Sequence, residues 1–396
     1  MGYLSNVKKL YIISFFHSLI PAYVIERLFW DQRGMTVQMI IYVEIIYALT
    51  VTFLEIPSGI LSDKFGRKRM ILAFYALATI ELTILLFAHS FWHFATAVFL
   101  AGVGKALASG SRNALLYDSL LSGGKQGDFE KHWGRMSAIG FTGSMIAALS
   151  GGVLANFFNF EFNYILSVLS KCFALICALS LIDVPILKKP EKEMSGVVQY
   201  TKKAWSVFKS QPIVLIYCLT GAVLGACLIY LDEFWQLILD GIGVPIIFFG
   251  IVGAAISIIG IPGKVLAYKL KGRFKYKHIL TCIICVCIVC YASIFFFNSL
   301  LSLVPMMVVF LVMGIVDPLI MGYLHHRTES HIRATVESFS SLGLRFVSAG
   351  IGLLFGYIST THSIFAGFLG LSAVCLLYFV LYSIFGKSYF RKDEIT

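Results

Sequence analysis

Apolar runs of about 20 residues dominate this chain and constrain its fold more than any other feature. A membrane-spanning helix needs about that length, and twelve such runs fill most of the 396 residues. They lie at about Leu10–Phe29, Val37–Ile56, Met70–Phe87, Phe91–Tyr117, Met136–Phe158 and Phe162–Ile182. The second set lies at about Ile213–Leu231, Ile246–Leu270, Ile279–Phe297, Leu301–Leu324, Ala334–Ser359 and Ile364–Phe385. Only 13% of the residues are charged, against roughly 25% in a soluble domain. The expected fold class is therefore an all-α membrane protein with twelve transmembrane helices, and no soluble domain of useful size fits in the remainder. The first run follows Lys8-Lys9 as a secretory signal would, but it is too long and has no small-residue cleavage site. It reads as an uncleaved first helix, with Pro21 tolerable if neighbours satisfy the freed carbonyl.

The formal charge of +11 is distributed by loop rather than by surface. Lys64, Arg67, Lys68 and Arg69, the lysines of a central polar stretch, then Lys269, Lys271, Arg273, Lys275 and Lys277, and finally Lys387, Arg391 and Lys392 fall on one side of the expected topology. The other side holds essentially Arg33. This is the positive-inside pattern, so both termini are expected in the cytoplasm of a multi-pass inner or plasma membrane protein, and nucleic acid is not an expected partner. The polar stretch at 183–212 divides the chain into an N-terminal bundle, 1–182, and a C-terminal bundle, 213–396. Its Trp205–Lys209 portion suits a short amphipathic helix on an anionic leaflet.

Between the second and third spans stands Glu55-Ile-Pro-Ser-Gly59-Ile-Leu-Ser-Asp63-Lys-Phe-Gly66-Arg67-Lys68-Arg69. Gly59 permits close helix contact, Gly66 gives a turn without a side-chain penalty, and three cations follow. The pattern G-x-x-x-D-x-x-G-R-[KR] resembles the signature loop of the major facilitator superfamily. A weakened second copy, Gly272-Arg273-Phe-Lys275, follows the eighth span with Lys269 where the aspartate would be. Arg135-Met-Ser before span five similarly parallels Arg333-Ala-Thr before span eleven. The resemblance covers the whole chain and implies two pseudo-symmetric six-helix bundles with a midplane site between them. It further implies that Asp63 docks near Arg333 to Thr335 and that Arg67 pairs with Asp118. Gly59, Asp63, Gly66, Arg67, Lys68, Asp118 and Arg333 are thus the expected conformational gating residues.

Ionisable groups within spans are costly in lipid and mark candidate sites. Lys105 and Asp317 occupy equivalent repeat positions, Gly102-Val-Gly-Lys105 against Gly314-Ile-Val-Asp317. The resemblance lets both reach a central cavity; the alternative is structural pairing within each bundle. Pro318 loosens the helix beside Asp317. Glu44 is a third candidate, as a protonatable carboxylate. Glu81 suits a solvated or interfacial position, and Lys171 a structural counter-ion. Glu26-Arg27 and Asp232-Glu233 close the outer ends of spans one and seven, by snorkelling or as an outer gate. Glu337 and Arg345, two helical turns apart on span eleven, suit pairing with other helices. Cys282, Cys285, Cys287 and Cys290 point to about 0°, 300°, 140° and 80° on a helix, so they do not converge on a metal. No nucleophile–base pair, metal-ligand set or cofactor motif is present, and no enzymatic activity or cofactor is expected.

The signature and Tyr117-Asp118 look like the drug-exporter-like branch of the superfamily. Gly134, Gly143, Gly151 and Gly152 have the spacing of that branch's antiporter motif, but Ala147-Ala148 replace its Gly-Pro. The branch's helix-4 arginine is also missing, with Lys105 the nearest basic substitute. The leading expectation is a secondary transporter that exports small partly apolar compounds against protons by alternating access. The expected partners are a small-molecule substrate, protons and the lipid bilayer, and the expected state is a monomer. The alternatives are an uptake carrier for a small metabolite, with Lys105 recognising an anionic group, and a non-transporting membrane receptor or scaffold.

Overall fold

The computed structural model describes residues 2–184, 212–328 and 333–393; within these, the side chains at 56, 59, 60, 63, 333–335, 338 and 385–393 lie outside the description. The described residues form helices α1 (Ser5–Ser18), α2 (Glu26–Gln32), α3 (Val37–Phe65), α4 (Arg67–Leu86), α5 (Phe91–Ala108), α6 (Ser111–Ser122), α7 (Phe129–Phe157) and α8 (Phe160–Leu179). They continue as α9 (Pro212–Gly241), α10 (Phe249–Lys271), α11 (Tyr276–Phe297), α12 (Leu303–Arg327), α13 (Arg333–Thr361) and α14 (Ile364–Asp393). Among the described residues, eleven spans are long and apolar enough to cross a membrane, or twelve if the first, bent pair of helices is taken as one span.

The contacts divide the chain into two compact units, one of Met1–Lys189 with Val244–Ala254 and one of Pro190–Gly243 with Ala255–Thr396. In the first, the first span packs on the fifth and sixth, and the third packs on the fourth and sixth. The second unit repeats this pattern: α9 packs on α13 and α14, and α11 packs on α12 and α14. The repeat extends to close backbone crossings. A Cβ added at Gly102 of α5 would lie 2.9 Å from Thr50 Cβ of α3. At the equivalent Gly314 of α12 it would lie 2.4 Å from the carbonyl oxygen of Gly260 in α10.

Several element boundaries differ from the hydropathy reading, and three change where a span bends or ends. The fourth span is not one helix over 91–117. It is interrupted at Ser109-Gly110, where Gly110 takes φ 74°, a left-handed conformation that a side chain disfavours. The seventh span does not end at Leu231. It continues to Gly241, so Asp232-Glu233 lie inside α9 rather than closing it. The first span is broken instead of continuous: α1 ends at Ser18, a 3-10 turn covers Pro21–Val24, and α2 leaves at 47°. By contrast α12 passes through Pro318 without interruption.

The cysteine run behaves as its angular spread on a helix requires. Cys282 and Cys285 are exposed on one side of α11, while Cys287 and Cys290 are buried on the other. Cys227 of α9 and Cys375 of α14, both buried, place their Sγ atoms 3.7 Å apart. The expected amphipathic segment at Trp205–Lys209 lies outside the described residues.

Candidate functional site

The chain turns from α3 to α4 at Gly66, whose φ of 89° favours glycine. A Cβ there would also sit 2.9 Å from an Asp183 carboxylate oxygen. This turn delivers Arg67 to the first residue of α4, and its Nη1 forms an ion pair with Asp118 Oδ2 of α6. Both partners are largely buried, so their charge-assisted hydrogen bond is stronger than a surface pair. Lys68 is half-buried in the next position. Around the pair, Ser62 and Ser111 place their Oγ atoms 3.1 Å apart, joining α3 to α6. Fully buried Asn6 donates to Ser119 Oγ at 3.0 Å and to the Ile182 carbonyl at 2.9 Å, and accepts from Ile182 N at 2.9 Å. One amide thus ties the first, fourth and sixth spans at the Arg67 end of the unit. The Asp63 and Arg333 side chains, and with them the expected docking of Asp63, lie outside the described residues; Gly59 lies in α3.

A second polar assembly occupies the middle of the same unit and follows from Pro21. Proline has no N–H, so it cannot serve the His17 carbonyl four residues earlier. Ile20 N turns to Ser18 O, which leaves the Phe16 carbonyl without its helical donor as well. One face of α8 fills these positions. Ser170 Oγ donates to Phe16 O at 2.7 Å, and Lys171 Nζ donates to His17 O at 2.9 Å. Ser167 Oγ accepts from Ala22 N at 3.1 Å. Asn163 Nδ2 lies 3.4 Å from Pro21 O and 2.9 Å from Gly151 O. These four α8 side chains are buried, and their i, i+4, i+7, i+8 spacing puts them on one helix face. Beside α8, α7 approaches the first span through glycines. A Cβ at Gly143 would meet Phe15 O at 2.6 Å, and one at Gly151 would meet Pro21 O at 2.7 Å.

Towards the other end, Arg27 is 4% exposed and its Nη2 lies 2.7 Å from Glu44 Oε1. Its guanidinium stands 4.5 Å from the Trp30 ring centre, and Trp30 donates to Tyr164 OH at 3.1 Å. Arg27 is therefore a buried ion-pair partner, not a snorkelling cation. Arg33 pairs with Glu161 at 2.7 Å and donates to Ala88 O at 3.2 Å.

The three candidates for substrate or ion coupling have different surroundings. Glu44 is half-buried and held by Arg27. Lys105 on α5 and Asp317 on α12 are exposed; among the described residues neither side chain has a hydrogen bond or ion pair, and they belong to different units. Glu337 lies 2.6 Å from His325 Nε2, and His326 lies 3.1 Å from Lys271 Nζ. In the second unit, Leu215, Cys218 and Ala222 of α9 face Phe339, Gly343 and Phe346 of α13 across an apolar cavity of about 290 Å³. Sequence reasoning did not find this cavity, nor that Lys171 serves the His17 carbonyl. The polar face of α8 was the available signal. Among the described residues, no cluster of three or more His, Cys, Asp or Glu residues could hold a metal ion.

An all-helical, two-unit membrane protein with repeated packing and an ion-paired turn between its second and third spans has the construction of a secondary transporter. The Major Facilitator Superfamily model matches residues 10–352, and the chain belongs to that family of membrane transporters. Its fold is similar to a mutant of the nucleoside transporter NupG, at TM-score 0.79 and 13% identity, covering 95% of this chain and 98% of that one. It is also similar to a bacterial homolog of the human lysosomal transporter Spinster, inward-facing and unoccupied, at 0.70 and 15%, covering 98% and 97%. A D-xylose–proton symporter follows at 0.69 and 11%, covering 96% and 97%. No curated protein matches the sequence significantly.

Proposed function

We propose that this transporter exports small, partly apolar compounds in exchange for protons by rocking-type alternating access. The observation that carries the export reading is the glycine face of α7 laid against the broken first span, at Gly143 and Gly151. These are two of the positions that match the antiporter spacing. The apolar cavity between α9 and α13 suits an apolar part of such a compound. In this reading Arg67 and Asp118 hold the signature turn in place while Asp63 and Arg333 latch the cycle, so they gate and do not bind cargo. Lys105 and Asp317, exposed within spans, are available to cargo or to a coupling ion.

A growth panel of toxic compounds in a pump-deficient bacterial host tests this, with wild type, Asp63→Asn, Asp118→Asn and Asp317→Asn at matched expression. Asp118→Asn removes a charge-assisted contact worth about 1.5–3 kcal/mol, enough to change a gating equilibrium about tenfold or more. The expected result is resistance in the wild type that all three substitutions abolish. Unchanged resistance in Asp317→Asn would take that residue out of the transport cycle. Resistance to no compound would overturn export.

The second reading is an uptake carrier for a small metabolite. It draws on the nucleoside transporter and the D-xylose–proton symporter among the similar folds, with Lys105 recognising an anionic group. The two readings differ in sign: Asp63→Asn raises the intracellular level of an exported compound and lowers that of an imported one.

A further inference from the structure

The buried amine of Lys171 has chemistry that closing the first-span break does not exhaust. Its side chain is 2% exposed, and Nζ lies 2.8 Å from His17 Nδ1 as well as 2.9 Å from His17 O. Two arrangements of protons satisfy this geometry equally. An ammonium donates to both the carbonyl and Nδ1, with the imidazole neutral and its hydrogen on Nε2. Alternatively a neutral amine donates to the carbonyl and accepts from an Nδ1–H. In an imidazolium the second arrangement holds the same extra proton on the ring that the first holds on the amine. A proton can therefore sit on either nitrogen, or leave, without orphaning the carbonyl of the broken helix.

The surroundings make the charge of this pair consequential. From α4, Glu81 attracts the Lys171 ammonium, yet it has no hydrogen bond or ion pair within 4.0 Å among the described residues. From α6, Arg112 acts on both Lys171 and His17, and from α5 Lys105 acts on His17. The Phe74 and Tyr75 rings of α4 stand edge-on to the imidazole at 5.3 and 5.6 Å. Glu26 of α2 and Glu44 of α3 repel Glu81, and Arg27 pairs with Glu44. Glu81 thus lies among acidic side chains, and the positive group acting on it is the Lys171 amine.

We propose that His17, Lys171 and Glu81 form a proton-binding site inside the first unit, with the exchangeable proton held between Lys171 Nζ and His17 Nδ1 and its charge balanced by Glu81. The site deepens the proton-coupled reading above and rests on it for its use in transport. It places the proton at the bend of the first span, where two main-chain carbonyls depend on α8 side chains.

The test is a pH titration of the full chain in detergent micelles, following the His17 imidazole by carbon-13 NMR after labelling histidine. The resonance is assigned by its loss in His17→Gln. Lys171→Met is expected to move the His17 midpoint by about one pH unit or more, the size of a neighbouring charge's effect, and Glu81→Gln is expected to move it as well. Resonances of the other histidines should stay in place, which shows that each variant is folded. Should Lys171→Met not fold, the nearly isosteric Glu81→Gln decides alone. A His17 midpoint that is the same in wild type and in the folded variants would overturn the proposal. The titration requires no substrate. A flat result in a protein that confers resistance removes this proton site and leaves export standing; a coupled titration in a protein that confers none removes export and leaves the site.

Discussion

Arg27→Met is expected to lower the thermal unfolding midpoint of the purified protein more than any other single charge removal in the first unit. Arg27 is almost fully buried, 2.7 Å from Glu44, and lies over the Trp30 ring. Taking one partner from a buried pair leaves the other uncompensated in a medium of low polarity, at a cost of about 3–5 kcal/mol. The substitution also removes the cation from the ring face, worth about 0.5–2 kcal/mol. Replacing both partners, Arg27→Met with Glu44→Met, should recover part of the loss, because no lone carboxylate then remains. Melting of Arg27→Met at the wild-type temperature would show that this pair contributes nothing to the fold. A double variant no more stable than Arg27→Met would show that the lost stability did not come from a stranded Glu44.

The second large effect is steric. Gly314→Val should prevent the second unit from assembling, while Gly322→Val on the same helix should be tolerated. At Gly314 an added Cβ would lie 2.4 Å from Gly260 O and 3.3 Å from Gly263 Cα, and one at Gly263 would lie 2.2 Å from Leu311 O. These obstacles are backbone atoms, which cannot move aside as a side-chain end can. Overpacking costs about 1–3 kcal/mol where side chains give way, and more where they cannot. Small residues are how membrane helices approach closely without a hydrophobic driving force. Nothing lies within 4 Å of a Cβ at Gly322, so the same substitution there controls for side-chain size and helix propensity. The yield of monodisperse protein after extraction is the measurement. Equal yields for the two variants would exclude a tight α10–α12 crossing.

The span pattern and the signature turn were legible because each is local. Hydropathy sums over about 20 residues, and Gly66-Arg67 needs only its neighbours to be read as a turn. The break in the first span was half legible. Pro21 marks where a hydrogen bond must fail, but the groups that replace it are more than 140 residues away on α8. Glu44 was visible as an acid within a span, whereas Arg27, near a span's end, left snorkelling and an outer gate both open. The two charges Asp232-Glu233 suggested an end to α9, yet the helix runs on to Gly241. Lys105 and Asp317 were selected by repeat position, and position alone does not reveal what a side chain faces. Lys171 reads from sequence as a structural counter-ion, which does not foretell that its nearest hydrogen-bond partners are a histidine ring and a carbonyl.

The polar face of α8 changes what a bend in a membrane helix means for this protein. In a soluble protein, water would fill the gaps that proline opens in a helix. Here Asn163, Ser167, Ser170 and Lys171 act as a fixed internal solvent, supplied by the fold and oriented in advance. Such a solvent cannot be diluted, and it has one composition. A span that needs it can straighten or bend only as far as α8 travels with it. The first and sixth spans are therefore a single mechanical element, although they lie at opposite ends of their bundle's sequence.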